Sequence, residues 1–464
     1  MLSQEKVINF YYQKNHIIFI LILASVQVKK FDIIIIGGGI LGVSLGYFLT
    51  LNSDANIVIL EREKNVSSHT SSRNTGKVHA PFLYDPIKKK IFAKISFLGY
   101  NMWQTYSNRK RIPFKQDGVL EIAKEEKDIK VLKKYYEWGI KNGLEEKEIY
   151  LLNDQETKTI EPNILCHGSI YCKRDASVDY GLLTTTLKND YLLAGGKLLN
   201  LHRVVGINNK NDNCVIEIVT KNRERKIINS KYVINTAGGH SLDIARQLET
   251  GLKLFDLHFR GEYWKAPPEY EKLTSHSIYS IPKRQNFPFL DPHWIIKADG
   301  HCEIGPNAVP VFGPYSYNLI DNFKNFFPKT KEIFFKKGLW SLFYNREFLS
   351  LLTNEIAGSL SKRIMIQRVK KFLPALDTKK FTTRGTAGIR SLLIDDKGNF
   401  IPDTLLLKNS ISLHILNYNS PGATGALPLS AMIVQELIND KLIKKVTKAN
   451  QLWNIEDIYS KINF

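Results

Sequence analysis

Six consecutive residues near the start of the chain, Gly37-Gly38-Gly39-Ile40-Leu41-Gly42, restrict its fold more than any other feature. This G-x-G-x-x-G follows directly on residues 31–36, a short β-branched run that reads as a buried parallel strand. It opens a helical stretch over 40–51, and Ile57–Leu60 supplies the next apolar run, so that about 30 residues form a β-α-β unit. In such a unit Gly37 permits the tight turn, Gly39 lets the backbone approach a pyrophosphate, and Gly42 allows close helix–strand packing. The helix start turns unpaired N–H groups and a positive dipole end toward the phosphates. Glu61 ends the second strand 19 residues after Gly42. A carboxylate there accepts from a ribose 2′-hydroxyl and disfavours a 2′-phosphate. The unit predicts a dinucleotide-binding Rossmann-type domain.

The surroundings of the turn favour FAD over NAD. Glu61-Arg62 leads into a Ser/Thr/Asn-rich loop at 67–75, suited to donate to a second phosphate and to a flavin ring. A later strand, 231–237, ends in Gly238-Gly239, whose small neighbours let the backbone lie close to an adenine or pyrophosphate. No second G-x-G-x-x-G occurs, so the sequence offers no separate nicotinamide site. Electrons would then leave to a quinone, a carrier protein or oxygen.

The remaining pattern implies a discontinuous α/β plus α+β layout. Helices are expected after Ile91, over 125–143, across the Phe- and Lys-rich stretch 315–372, and over 423–438. Strands are expected at 118–123, at 411–416 and through the aromatic segment 254–311, which reads as an antiparallel sheet. The FAD-binding domain is assigned to 31–110, 170–250 and 375–464. A substrate or capping domain takes 111–169 and 251–374, and residues 1–30 form an extension that reads as signal-like or as a peripheral anchor. In that extension an apolar run of about 10 residues is too short to cross a bilayer, which takes about 20. No small-x-small cleavage site follows it.

A net charge of +20 comes from 65 Lys and Arg against 45 Asp and Glu, yet the lysines are scattered and form no basic block. Nucleic acid is therefore not an expected partner. Cys166, Cys172, Cys214 and Cys302 include no C-x-x-C pair, so no metal site is expected, and few cysteines in a long chain fit a reducing, cytoplasmic compartment. Residues 323–344 interleave aromatics with lysines. They suit either a helix packed on the core or one lying on the inner face of an anionic membrane, near quinone.

The loop His69-Thr70-Ser71-Ser72-Arg73-Asn74-Thr75-Gly76-Lys77-Val78-His79 resembles the H-x-T-x-x-N-S-G-x-x-H loop of L-2-hydroxyglutarate dehydrogenases, members of the D-amino-acid-oxidase-like FAD superfamily. Collinear similarities follow at Arg260-Gly261-Glu262-Tyr263, Phe287-Pro288-Phe289-Leu290 with His293, Gly305-Pro306-Asn307-Ala308-Val309, Ala387-Gly388-Ile389-Arg390, Asp396-Lys397-Gly398-Asn399, His414-Ile415-Leu416-Asn417 and Ser420-Pro421-Gly422-Ala423-Thr424. They span about 31–438. Departures stand at Arg73, where that family usually has His, at Ala80-Pro81, and at Asp291-Pro292, where Gly-Val is typical. The resemblance implies an FAD-binding Rossmann domain with an antiparallel substrate domain, and oxidation of a small 2-hydroxy acid.

Such a reaction needs a cation for the carboxylate and a base for the hydroxyl proton. Arg390 matches a carboxylate with its planar fork, and the base is sought among His79, His293 and His414. Arg260 and Tyr263 are placed at the distal end of the pocket. Ser71, Ser72, Asn74 and Gly76 on one side, and Gly422, Ala423 and Thr424 on the other, are assigned to the flavin. Gly37, Gly39, Gly42, Glu61, Arg62, Val205, Ala237 and Gly238 complete the cofactor set. The same fold and clamp would serve an amino-acid or amine oxidase. The charge alone would also admit an FAD-bearing RNA-binding or RNA-modifying protein, though no basic-aromatic stacking platform is present.

Overall fold

The structure, a computed structural model, describes residues 30–463 apart from Asn286, Lys336 and 449–450. The apolar run of the N-terminal extension lies outside the described residues. The opening strand, Lys30–Ile36, sits in the middle of an eight-stranded sheet. It pairs in parallel with Ile57–Leu60 on one side and with Arg225–Asn235 on the other. Ser412–Leu416 adds a further parallel strand, and Leu405–Lys408 closes that edge antiparallel. Central strands buried on both faces must be apolar throughout, which is why Ile33, Ile34, Ile35, Val58, Ile59 and Ile234 are almost wholly buried.

The helix Ile40–Asn52 is apolar on every side and all its residues are buried. A helix of that kind needs cover all round, and it receives it from the sheet and from the helices Tyr180–Leu193 and Ala426–Asn439. Its approach to the opening strand depends on Gly42, where an added Cβ would meet the Gly37 carbonyl oxygen at 1.9 Å. Gly37 itself turns at φ +109°, a conformation that only glycine takes without strain.

A second, seven-stranded sheet runs in the order Trp264–Lys265, Cys302–Gly305, His293–Ile296, Ser277–Ser280, Val119–Ala123, Gly168–Cys172, Ile149–Asn153. The antiparallel pattern expected of it holds except for one pair: Ser277–Ser280 runs parallel to Val119–Ala123. Those two strands are separated in the chain by the strands of the main sheet, so they meet through a crossover and not a hairpin. A third sheet joins Val309–Val311, Phe255–Gly261 and Gly388–Ile394, all antiparallel. The stretch expected to be helical at 315–372 breaks into Leu319–Phe335, Lys337–Tyr344, Arg346–Leu360 and Lys362–Lys370. The helix expected over 423–438 begins only at Ala426, because 421–425 form a turn.

Two glycine substitutions test this packing with opposite signs. Gly42→Ala should lower stability by about 1–3 kcal/mol or more, as overpacking does. Gly358→Ala, in a helix where a Cβ would meet nothing within 4 Å, should raise it by about 0.5–1 kcal/mol. Thermal midpoints of the two variants against the parent are the measurement.

Candidate active site

The parallel strands of the main sheet end level, Ile36 standing opposite both Leu60 and Asn235. Ligands of open α/β sheets bind at such carboxyl-terminal ends. Here a cavity of about 580 Å³ opens and runs from the glycine turn to the faces of the other two sheets. At the nucleotide end the Glu61 carboxylate accepts the Gly38 N–H at 2.6 Å and the Glu63 N–H at 2.8 Å. Burial pushes its pKa up against the pull of those two donors. The Ser71 hydroxyl accepts the Ile40 N–H at 3.0 Å, which fastens the loop to the helix start. The Asn74 amide donates to Thr70 and Ser71, and Lys297 holds the Asn74 carbonyl at 2.8 Å. Arg62 stacks 3.7 Å over the Tyr315 ring and so walls the same end.

These residues fit FAD. A glycine turn lies under the diphosphate position, an acid stands one strand along for the ribose, and the cavity is long enough to continue to a second, polar end. Gly239 keeps that passage narrow but open, since a Cβ there would meet Pro314 at 2.3 Å.

The far end is built from the two smaller sheets. Arg390 comes from Gly388–Ile394, opposite Phe259, and donates to the Pro288 carbonyl at 3.1 Å. Among the described residues no carboxylate pairs with it, and burial lowers its pKa. His293 opens its strand on the second sheet and is 2% exposed. Its Nδ1 lies 3.0 Å from the Asp291 carbonyl, an acceptor only, so Nδ1 carries the proton and Nε2 the lone pair. That Nε2 is buried without a hydrogen-bond partner and the residue lines the cavity. Burial pushes His293 down to about 3, so the ring is neutral. The Asp291 carboxylate, where the resembling family usually has no acid, is gripped by Lys124 and Arg368, each at 2.7 Å, which fixes the carbonyl that fixes His293. Beside it Tyr279 presents its edge at 4.1 Å between ring centres, and its hydroxyl also lacks a partner. His79 stands 6.2 Å from Tyr279 by the same measure, with Nδ1 3.7 Å from Asp175.

Most residues singled out in the sequence meet in this cavity: Gly37, Gly39, Glu61, Arg62, Ser71, Asn74, His79, Val205, Ala237, Gly238, Tyr263, His293, Arg390, Gly422, Ala423 and Thr424 all line it. Five do not. Gly42 serves helix packing, as expected of it. Ser72 turns away to the Ser67 carbonyl, and Gly76 closes the loop on the Asn74 side chain at φ +73°. Arg260 is committed to Glu262 at 2.8 Å and to the carbonyls of Ser316 and Tyr317, so it does not reach the pocket end assigned to it. His414, sought as a base, lies inside the main sheet. The Asn235 amide donates to its Nδ1 at 3.0 Å, and its Nε2–H meets the Ser412 hydroxyl at 2.9 Å. With both nitrogens occupied it has no lone pair to offer a substrate. Tyr279 and Asp175 went unread, because neither sits in a motif and both reach the site only through sheet pairing and the crossing loops.

Removing the Glu61 carboxylate should weaken FAD retention at least about tenfold, since a hydrogen bond to a charged group is worth about 1.5–3 kcal/mol. Flavin absorbance retained by Glu61→Ala and Glu61→Gln after exhaustive ultrafiltration checks this, and Gln should fall less far than Ala.

The family model for FAD dependent oxidoreductases matches residues 32–437. The chain is 32% identical to the mitochondrial L-2-hydroxyglutarate dehydrogenase of Bos taurus, covering 88% of this chain and 89% of that protein. It is 28% identical to the L-2-hydroxyglutarate dehydrogenase of Escherichia coli (strain K12), covering 88% and 93%. Among solved structures it resembles the L-alpha-glycerophosphate oxidase of Mycoplasma pneumoniae with FAD bound, at TM-score 0.68 and 19% identity over 92% of this chain and 98% of that one. The glycine oxidase of Geobacillus kaustophilus follows at TM-score 0.64 and 14% identity over 93% and 98%. With the glycine turn, the ribose acid and the continuous cavity, these similarities place the chain among the FAD-dependent oxidoreductases, in the L-2-hydroxyglutarate dehydrogenase family.

Proposed function

We propose that this enzyme oxidises a small 2-hydroxy acid, L-2-hydroxyglutarate by its kinship, to the 2-oxo acid and passes the electrons to a quinone or another non-nicotinamide acceptor. One observation carries the reading: one cavity is lined both by a guanidinium that pairs with no carboxylate among the described residues and by an imidazole whose Nε2 has a free lone pair. Bound FAD supplies the acceptor for the C2 hydride. Arg390 takes the substrate carboxylate, and the His293 Nε2 takes the hydroxyl proton. The two acts are linked. Arg390 is among the charges that hold His293 below its usual range, and a carboxylate bound to it cancels that positive charge. Substrate binding thus makes His293 more basic when a base is needed. Tyr263 and Tyr279, both buried, keep water from the reacting end. No second dinucleotide turn offers a nicotinamide route out.

The helices after Val309–Val311 suit an acceptor dissolved in membrane. Among the described residues no helix is long and apolar enough to cross one. Yet Leu319, Ile320, Phe323, Phe327 and Phe334 are each more than 60% exposed, with Lys324 and Lys331 exposed among them. Apolar side chains rimmed by cations on a chain of net charge +20 complement an anionic lipid surface. The enzyme rests there as a peripheral protein of the inner, cytoplasmic face.

Two experiments test these readings. Anaerobic addition of L-2-hydroxyglutarate should bleach the flavin, and Arg390→Met should raise KM about 100-fold, the loss of a charge-assisted contact of about 3 kcal/mol. Bleaching by an amino acid and not by hydroxy acids would transfer the assignment to amine oxidation. On flotation, the protein should rise with phosphatidylglycerol vesicles and not with phosphatidylcholine alone, and Phe323→Ser with Phe327→Ser should abolish the rise.

A further inference from the structure

One serine of the cavity wall is held in a way that fixes how it can meet a ligand. Ser391 lines the cavity and stands in register with His258 on the neighbouring antiparallel strand, Phe255–Gly261. Its hydroxyl lies 2.8 Å from the His258 Nδ1. The other ring nitrogen, Nε2, faces the Asp256 carboxylate at 3.5 Å. A lone pair turned to a carboxylate would be repelled, so Nε2 carries the proton and Nδ1 keeps its lone pair. Nδ1 then only accepts, and Ser391 must donate to it. The serine oxygen keeps its two lone pairs, and among the described residues no donor reaches them. Toward the cavity it is an acceptor and nothing else.

The serine's partners are themselves fixed. His258 is 4% exposed, Asp256 5% and Lys329 8%. Lys329, on the helix Leu319–Phe335, pairs with both Asp256 and Glu332, and Glu332 pairs with Arg246 at 2.8 Å. Burial alone would raise the Asp256 pKa, but His258 and Lys329 outweigh it and hold the carboxyl below its usual range. Burial pushes His258 down to about 4, so its ring is neutral. So weak a base is a poor activator of a serine for attack. It serves instead to accept the hydroxyl proton in a hydrogen bond and hold it away from the cavity.

Position decides which ligand group that acceptor meets. Successive residues of a strand face opposite ways, so Ser391 turns away from the substrate end that Arg390 serves. A Cβ on Gly239 would stand 2.7 Å from the Ser391 Oγ, which puts that oxygen beside the turn after Arg225–Asn235. A cofactor that reaches from the glycine turn to the clamp brings its middle, phosphates and sugar hydroxyls, to this stretch. A phosphate is an acceptor too and would be repelled, whereas a hydroxyl can donate. We propose that Ser391 binds FAD by accepting a hydrogen bond from one hydroxyl of its sugar chain, with His258 and Asp256 as positioning residues that set the polarity of the serine.

Binding alone tests this, whatever the substrate. The flavin-free full chain is titrated with FAD and with analogues that each lack one ribityl or ribose hydroxyl, followed by flavin fluorescence. In the parent, one deoxy analogue should bind about fivefold more weakly than FAD, the worth of one neutral hydrogen bond. In Ser391→Ala that penalty should vanish, while any penalty due to Glu61 stays. A parent that binds every analogue as tightly as FAD overturns the assignment, and so do penalties that all persist in Ser391→Ala. Fluorine in place of the recognised hydroxyl tests the polarity. That analogue can only accept, so it should bind the parent more weakly than the deoxy analogue does. In His258→Leu the serine is free to turn its own proton outward, and the order should disappear. An order that persists there removes His258 and Asp256 from the proposal.

Discussion

Two backbones come closer at Gly37, Gly42 and Thr236 than side chains would allow, and the rest of the active site is hung from that contact. Thr236 donates its N–H to the Ile36 carbonyl at 3.0 Å and its hydroxyl to the same oxygen at 2.9 Å. A Cβ on Gly37 would reach the Thr236 carbonyl oxygen at 2.6 Å, and one on Gly42 the Thr236 hydroxyl at 2.7 Å. Segments about 200 residues apart in the chain are so locked at the end of the sheet. From that knot the loop at 67–75 is fastened through Ser71 to Ile40, and Gly239 is pressed beneath Pro314 and Ser391. Ser391 follows Arg390, so the cofactor end and the carboxylate clamp share one rigid frame.

The chemistry of the far end comes from what its polar groups are denied. Two histidines read alike from the sequence divide on this point. His414 has both nitrogens bonded within the main sheet and contributes to structure alone. His293 has one nitrogen bonded to a carbonyl, which sets its tautomer and leaves the other open to the cavity. Arg390 is in the same condition: a desolvated cation without a counter-ion is costly, and an incoming carboxylate relieves the cost. Binding energy and chemical readiness arise from the same unpaired groups.

The helices between Leu319 and Lys370 connect this interior to the surface. Arg368 on the last of them grips Asp291, whose carbonyl holds His293, and it also holds Glu355 at 2.7 Å. The first of them, Leu319–Phe335, turns Phe323, Phe327 and Phe334 to solvent.

By itself the sequence determined the parts whose rules are local. The glycine spacing, the β-branched strand before it and Glu61 after it leave a dinucleotide turn few alternatives, and the turn was legible without any fold. The helix Ile40–Asn52 was legible with the turn that opens it. The parallel pairing of Ser277–Ser280 with Val119–Ala123, the commitment of Arg260 to Glu262, and the contact of Tyr279 with His293 were not. Each depends on which distant strand lies alongside, and a strand's own residues carry its faces but not its neighbours. A histidine in a motif can be named from the chain. Whether it keeps a lone pair is decided only when tertiary structure has spent, or spared, its hydrogen bonds.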